Sequence, residues 1–225
     1  MHEVTVRQGV SCTTILRALF DEMRWATDVR EAVVAMDMVA AAELSSIKKM
    51  RVYVDHHPGW RGVEQVRAAL DMADENSMSP NETRMRLIWL LDAGLPRPLV
   101  NQPVFDRRGN LLGIADLFDP LAGMVGEYDG AAHRGAKRHR RDVMREHRFR
   151  QAGLEYFKVV GLDLSDIPVT VERMITTRAR AKFEVPSERK WTLLPPSDWY
   201  DSPLDAMDLD QRLEYRAALH GCGPD

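Results

Sequence analysis

The amino-acid sequence predicts an α/β protein: a helical N-terminal unit, then a mixed sheet flanked by helices, then an acidic tail. Three observations carry this. Apolar residues recur at helical spacing through much of residues 1–75. Extended runs separated by turn residues fill residues 97–129, and a basic helical stretch then leads into a run rich in aromatic and β-branched residues.

The elements follow in order. TVRQGV reads as a short strand, and Ile15, Leu16, Leu19, Phe20 and Met23 share a helical face just after it. Asp28 is placed to cap a helix from Val29 to Leu44 that is rich in Ala and Met. A third helix runs through Ile47 to Val54, Pro58 and Gly59 break the pattern, and Val63, Val66, Leu70 and Met72 begin a fourth. Ser79 or Asn81 then caps a helix whose residues Met85, Ile88, Trp89 and Leu91 face a core. Two extended runs flank DRRGN, a hairpin turn, and AGMVGEYDG supplies a third strand. A helix from about Lys137 to Ala152 is closed by Gly153, and LEYFKVVGLDL is the fourth strand, giving the order α-β-β-β-α-β. A further helix lies between Ile167 and Lys182, and an irregular Pro-rich stretch with Trp191 and Trp199 precedes a short helix near Leu204 to Leu219. The units expected are residues 1–75, 76–182 and 183–225.

Composition excludes several classes. With 44% hydrophobic and 29% charged residues the chain is neither disordered nor fibrous. No apolar run reaches the roughly 18–20 residues of a membrane span, and no basic-then-apolar leader opens the chain, so a cytoplasmic protein without membrane contact is expected. Cys12 and Cys222 alone form neither a disulfide framework nor a zinc knuckle. The net charge of −3 hides a local basic run, His133 to Arg150, with eight Arg and Lys against Asp142 and Glu146.

The chemistry concentrates beside that run. Glu127 and Asp129 are two apart on a strand and project to one face, with Tyr128 opposite; suitable pairing of the preceding strand adds Asp116. Three converging carboxylates repel one another unless a hard divalent cation with oxygen ligands compensates, which predicts a Mg2+ or Mn2+ site on Asp116, Glu127 and Asp129. Glu82 on the preceding helix adds a fourth acid. Lys137, Arg141, Arg145 and Arg148 fall within a narrow helical arc suited to a phosphate backbone. Each feature also has a plainer reading: a solvated strand edge, a solvated helix face and an Asp142–Arg145 i,i+3 ion pair.

The runs SMSPNETRMRLIWLLDAGLPRPLVNQPVFDRRGNLLGIADLFDP, GMVGEYDGAAHR and RRDVMREHRFRQAGLEYFKVVGLDL resemble an actinobacterial family related to very-short-patch repair endonucleases. The resemblance covers residues 77–165 and implies a restriction-endonuclease-like fold of the PD-(D/E)XK type. It makes Asp116 and Glu127 metal ligands, Glu82 an accessory acid and His133 a proton-transfer residue. Two departures stand out. Asp129 occupies the position of the signature Lys, so a positive group must come from elsewhere, with Lys137, Arg141 and His133 as candidates. Relatives also carry an upstream winged helix of the abortive-infection antitoxin type, whose DNA recognition is not expected here. The function expected is metal-dependent hydrolysis of nucleic acid, DNA before RNA, with a second copy or a partner protein as further partner. The alternatives are a nucleic-acid-binding or regulatory module of a defence or toxin-antitoxin system that has lost turnover, and a structural partner whose acidic tail masks the basic helix.

Overall fold

The computed structural model describes residues 3–130, 136–197, 199–200 and 207–219, without the side chains of 136–139, 141 and 216–219. The chain forms two compact units, one of Met1–Pro80 with Tyr200–Asp225, the other of Asn81–Trp199.

The first unit opens on a hairpin, β1 (Val4–Arg7) and β2 (Val10–Thr13), where a single strand was expected. Gln8 and Gly9 both have positive φ, 51° and 79°, as a two-residue primed turn requires. Gln is not a residue that announces such a turn, so the second strand left no local signal. Four helices follow: α1 (Ile15–Trp25), α2 (Val29–Ala41), α3 (Ile47–Asp55) and α4 (Val63–Met72). Asp28 caps α2 as expected, its carboxylate accepting the N–H groups of Arg30 and Glu31 at 2.8 and 3.0 Å. Phe20, Met23, Met36, Met50, Tyr53 and Val66 fill the core of this unit.

The last helix, α8 (Leu209–Leu219), belongs to the same unit. Leu209 is buried, Ser46 Oγ donates to Asp210, Lys48 Nζ lies 3.8 Å from that carboxylate, and Arg212 pairs with Glu43 at 3.0 Å. Asp208 accepts the N–H of Gln211 at 2.8 Å. Both acids are thus engaged within the first unit. Asp198, Asp201 and Asp205 lie outside the described residues.

The second unit is α/β. Helix α5 (Pro80–Leu87) starts at a proline, which suits a first helical position, and widens into a π turn, Ile88–Asp92. The wider turn carries Leu91 out of the apolar stripe. It is 46% exposed instead of buried, while Trp89 is fully enclosed. The strands β3 (Leu99–Asp106), β4 (Leu111–Asp119), β5 (Met124–Asp129), β6 (Glu155–Val160) and β7 (Trp191–Thr192) form one sheet in the order β6-β5-β4-β3-β7. β5 and β6 are parallel and the other pairings antiparallel, so the sheet is mixed. The crossover between the parallel strands is α6 (Ala136–Gln151), closed by Gly153 at φ 85°, and α7 (Ile167–Arg180) follows β6.

Helices cover both faces. Met85, Ile88 and Trp89 with Met174 of α7 pack on Leu117, Met124, Phe157 and Val159, while Phe149 of α6 and Ala152 just after it pack on Leu112, Phe118, Val125 and Tyr156. The stretch expected to be irregular contains β7. There Trp191 sits edge-on to Phe118, with centroids 5.1 Å apart, and Arg107 donates to the main-chain oxygens of Pro186, Ser187 and Arg189. Trp199 likewise packs on Phe105, so both tryptophans pin this segment to the sheet. Among the described residues no helix is long and apolar enough to cross a membrane.

Candidate active site

The site begins at an irregularity in the sheet. In a regular strand residues two or four apart share a face. Val100 and Val104 nevertheless belong to opposite cores, and so do Ala115 and Leu117. Both reversals fall at one place, where pairing steps from Val100↔Leu117 to Gln102↔Ala115 and leaves Asn101 and Asp116 between. Asn101 has φ 46°, a left-handed conformation that Asn tolerates better than other side chains with a Cβ. Its amide donates to Glu82 Oε2 at 2.9 Å, tying the first turn of α5 to the reversal.

Asp116 stands where β4 leaves β5. Their pairing ends at Leu117↔Gly126, and one step on the Asp116 carboxylate, in place of the strand's main chain, accepts the N–H of Tyr128 at 2.7 Å. Burial pushes its pKa up to about 7; the Tyr128 N–H opposes this, the negative charges of Glu82 and Glu127 add to it, and Arg145 works against it. Glu82, Asp116 and Glu127 thus form the electrostatically coupled acids of the site.

Glu127, on β5, is only 2% exposed. Its Oε2 accepts from Arg145 Nη2 and from Tyr156 Oη at 3.1 Å, whereas Oε1 is buried with no hydrogen-bond partner among the described residues. Burial raises its pKa against the charge of Arg145, the Tyr156 hydrogen bond and the charge of Lys158. Arg145 reaches Glu127 because β4 carries Gly113 beneath it: a Cβ there would come within 2.8 Å of Arg145 Cγ and 2.7 Å of Phe149 Cζ. The guanidinium also lies 3.5 Å from Asp142, so the i,i+3 pair is present but is the longer of the two contacts.

Asp129 shares the strand face of Glu127 but has a different neighbour. Parallel pairing sets Glu127 beside Lys158 of β6, and Lys158 Nζ lies 3.5 Å from Asp129 Oδ2. Among the described residues no three His, Cys, Asp or Glu side chains are grouped to hold a metal ion, so Asp116, Glu127 and Asp129 are neighbours without forming a closed ligand set.

The remaining expected residues divide. Arg148 is exposed on α6, and Arg145 turns in toward the acids instead of outward along a basic stripe. His133 and the side chains of Lys137 and Arg141 lie outside the described residues. Sequence reasoning missed Tyr156 and Lys158. Their signal was present: in LEYFKVV, a polar Lys two residues after Tyr interrupts an apolar strand on the face that meets Glu127 once β6 lies parallel to β5. No family model matches the chain, and neither a curated protein nor a solved structure does.

Proposed function

We propose that the second unit is a restriction-endonuclease-like core that hydrolyses phosphodiester bonds of nucleic acid, DNA before RNA, with Mg2+ or Mn2+ held by Asp116 and Glu127. The observation that carries this reading is a buried Glu127 beside a half-buried Asp116 at the point where two strands part, with Glu127 Oε1 lacking a donor among the described residues. The donor set fits a hard cation. It offers oxygens only, the charge of Glu127 makes the Asp116 carboxylate harder to ionise, and a divalent ion relieves both charges at once. When bound, such an ion supplies a Lewis acid for the phosphoryl oxygens and an acidified water as nucleophile.

The chain's own groups have separate parts. Lys158, held by Asp129, places a cation beside Glu127 from the neighbouring strand and so takes the part of the Lys that E-x-D lacks. In the same reading Glu82 fixes Asn101 and the reversal that presents Asp116, Arg145 neutralises the site or the phosphate, and His133 transfers a proton. One observation favours a second reading, a binding or regulatory module without turnover: Arg145 already neutralises the carboxylate that a metal would need.

Thermal denaturation across pH tests the metal claim. Asp116 holds its proton more tightly in the folded chain than unfolded, so the metal-free protein binds more protons when folded. Its stability should therefore fall as pH rises from about 4 to about 7, then level off, with a loss of about 2 kcal/mol after allowance for solvent screening. Mg2+ at saturating concentration should raise Tm at pH 8 and have little effect at pH 5. An equal shift at both pH values, or none, would place the metal elsewhere or nowhere.

A further inference from the structure

The outer edge of β6 carries a basic groove that the reading above leaves without a role. It lies between α6 and α7 and has a volume of about 330 Å3. Arg150, Lys158, Arg173 and Arg180 line it, and Glu146 is the one lining carboxylate among the described residues. Its size falls at the low end of the roughly 300–1,000 Å3 of ordinary ligand clefts, which suits a nucleotide or two of one strand.

The arginines are fixed in place. β6 is the terminal strand of the sheet, and such an edge normally invites another strand. Here Arg173 Nη1 donates to Lys158 O at 2.7 Å, and Arg150 Nη2 reaches Tyr156 O at 3.5 Å. The edge is closed to strand addition, and two guanidinium groups are planted over it. Acids orient the cations from the side: Glu146 holds Arg150 at 2.9 Å, Asp163 holds Arg173 at 2.7 Å and Glu155 holds Arg180 at 3.3 Å. Each groove cation, Lys158 with Asp129 included, thus has one acid partner, and a phosphate would have to exchange with these largely surface pairs, which cost little to break.

The groove shares part of its wall with the carboxylate site. Two residues in its wall belong to both places, for Tyr156 Oη donates to Glu127 and Lys158 Nζ adjoins Asp129. We propose that the groove binds the sugar-phosphate backbone of a single nucleic-acid strand and leads it to Asp116 and Glu127. The inference rests on the nuclease reading and adds the path of the strand.

The test uses the full chain and a fluorescent single-stranded 12-residue oligodeoxynucleotide, with EDTA present so that binding is read apart from cleavage. Arg150→Gln with Arg180→Gln is the informative variant. Both side chains are about half exposed and their pairs are surface pairs, so folding should be kept and is checked by circular dichroism. Affinity is measured by anisotropy between about 50 and 200 mM salt. The expected result is about fivefold or more weaker binding and a salt slope reduced by about 1 to 1.5, with Arg67→Gln in the first unit unchanged. Should Arg150→Gln with Arg180→Gln unfold, Arg180→Gln alone serves, with half the slope change. Wild-type binding that these variants leave unaltered overturns the groove and leaves the nuclease reading standing. Equal loss of duplex binding overturns the single-strand assignment, and displacement by polyglutamate at matched charge overturns nucleic acid as the occupant. A wild-type chain that neither binds nor, with Mg2+, cleaves the oligonucleotide overturns both readings together.

Discussion

Asp116→Asn is expected to lower metal-dependent cleavage of DNA by roughly a hundredfold or more, while nucleic-acid binding in EDTA stays within about twofold of wild type. The substitution keeps the shape of the side chain and its capacity to accept the N–H of Tyr128, but removes the charge that would hold a cation. Its effect on stability should have the opposite sign. Asp116 is destabilised as a carboxylate, with a pKa pushed up to about 7, so a neutral amide should leave the metal-free protein as stable as wild type at pH 8, or more stable. Loss of activity joined to unchanged or improved melting is the pattern of a residue kept for chemistry. A variant that loses both together would mark Asp116 as part of the sheet's architecture only. Asp129→Ala should be milder, because Asp129 acts on the site through Lys158.

Arg145→Ala is expected to destabilise the metal-free protein by about 2–3 kcal/mol and to lose much of that deficit when Mg2+ is added. Removing one partner of a buried pair commonly costs about 3–5 kcal/mol, because a charge is left uncompensated. The value here should be smaller, since the Arg145 side chain is 31% exposed and Tyr156 and Lys158 still face Glu127. Chemical denaturation with and without Mg2+ reads both parts. Glu127→Gln added to Arg145→Ala should recover stability without metal, because the orphaned charge is then gone. If Mg2+ leaves the single variant as unstable as before, Glu127 does not receive the cation, and the regulatory reading gains the site.

Much of the second unit was readable in the sequence because its signals are local. Gly153 ends α6, DRRGN turns β3 into β4, and Met85, Ile88 and Trp89 repeat at helical spacing. Asp116 and Glu127 were also readable, one from its strand and the other from the two-residue spacing to Asp129. What escaped depends on pairing between distant segments. Lys158 joins the site only because β6 lies parallel to β5 with Lys158 opposite Glu127, a register that nothing local in LEYFKVV specifies. Asn101 is an ordinary strand residue by sequence. Its left-handed φ goes with a reversal that sends Val100 and Val104 into opposite cores, a tertiary feature with no local signal. The exposure of Leu91 has a similar origin, a single π turn that shifts the helical stripe.

The central claim, metal-dependent phosphodiester hydrolysis at Asp116 and Glu127, is tested most directly by incubating wild-type protein with end-labelled single- and double-stranded DNA in Mg2+, in Mn2+ and in EDTA, beside Glu127→Ala. Wild type should cleave in either metal and not in EDTA, and Glu127→Ala should cleave in no condition. A folded wild-type protein that binds DNA yet cleaves neither substrate in either metal would rule out metal-dependent hydrolysis, and cleavage that survives Glu127→Ala would place the active site elsewhere.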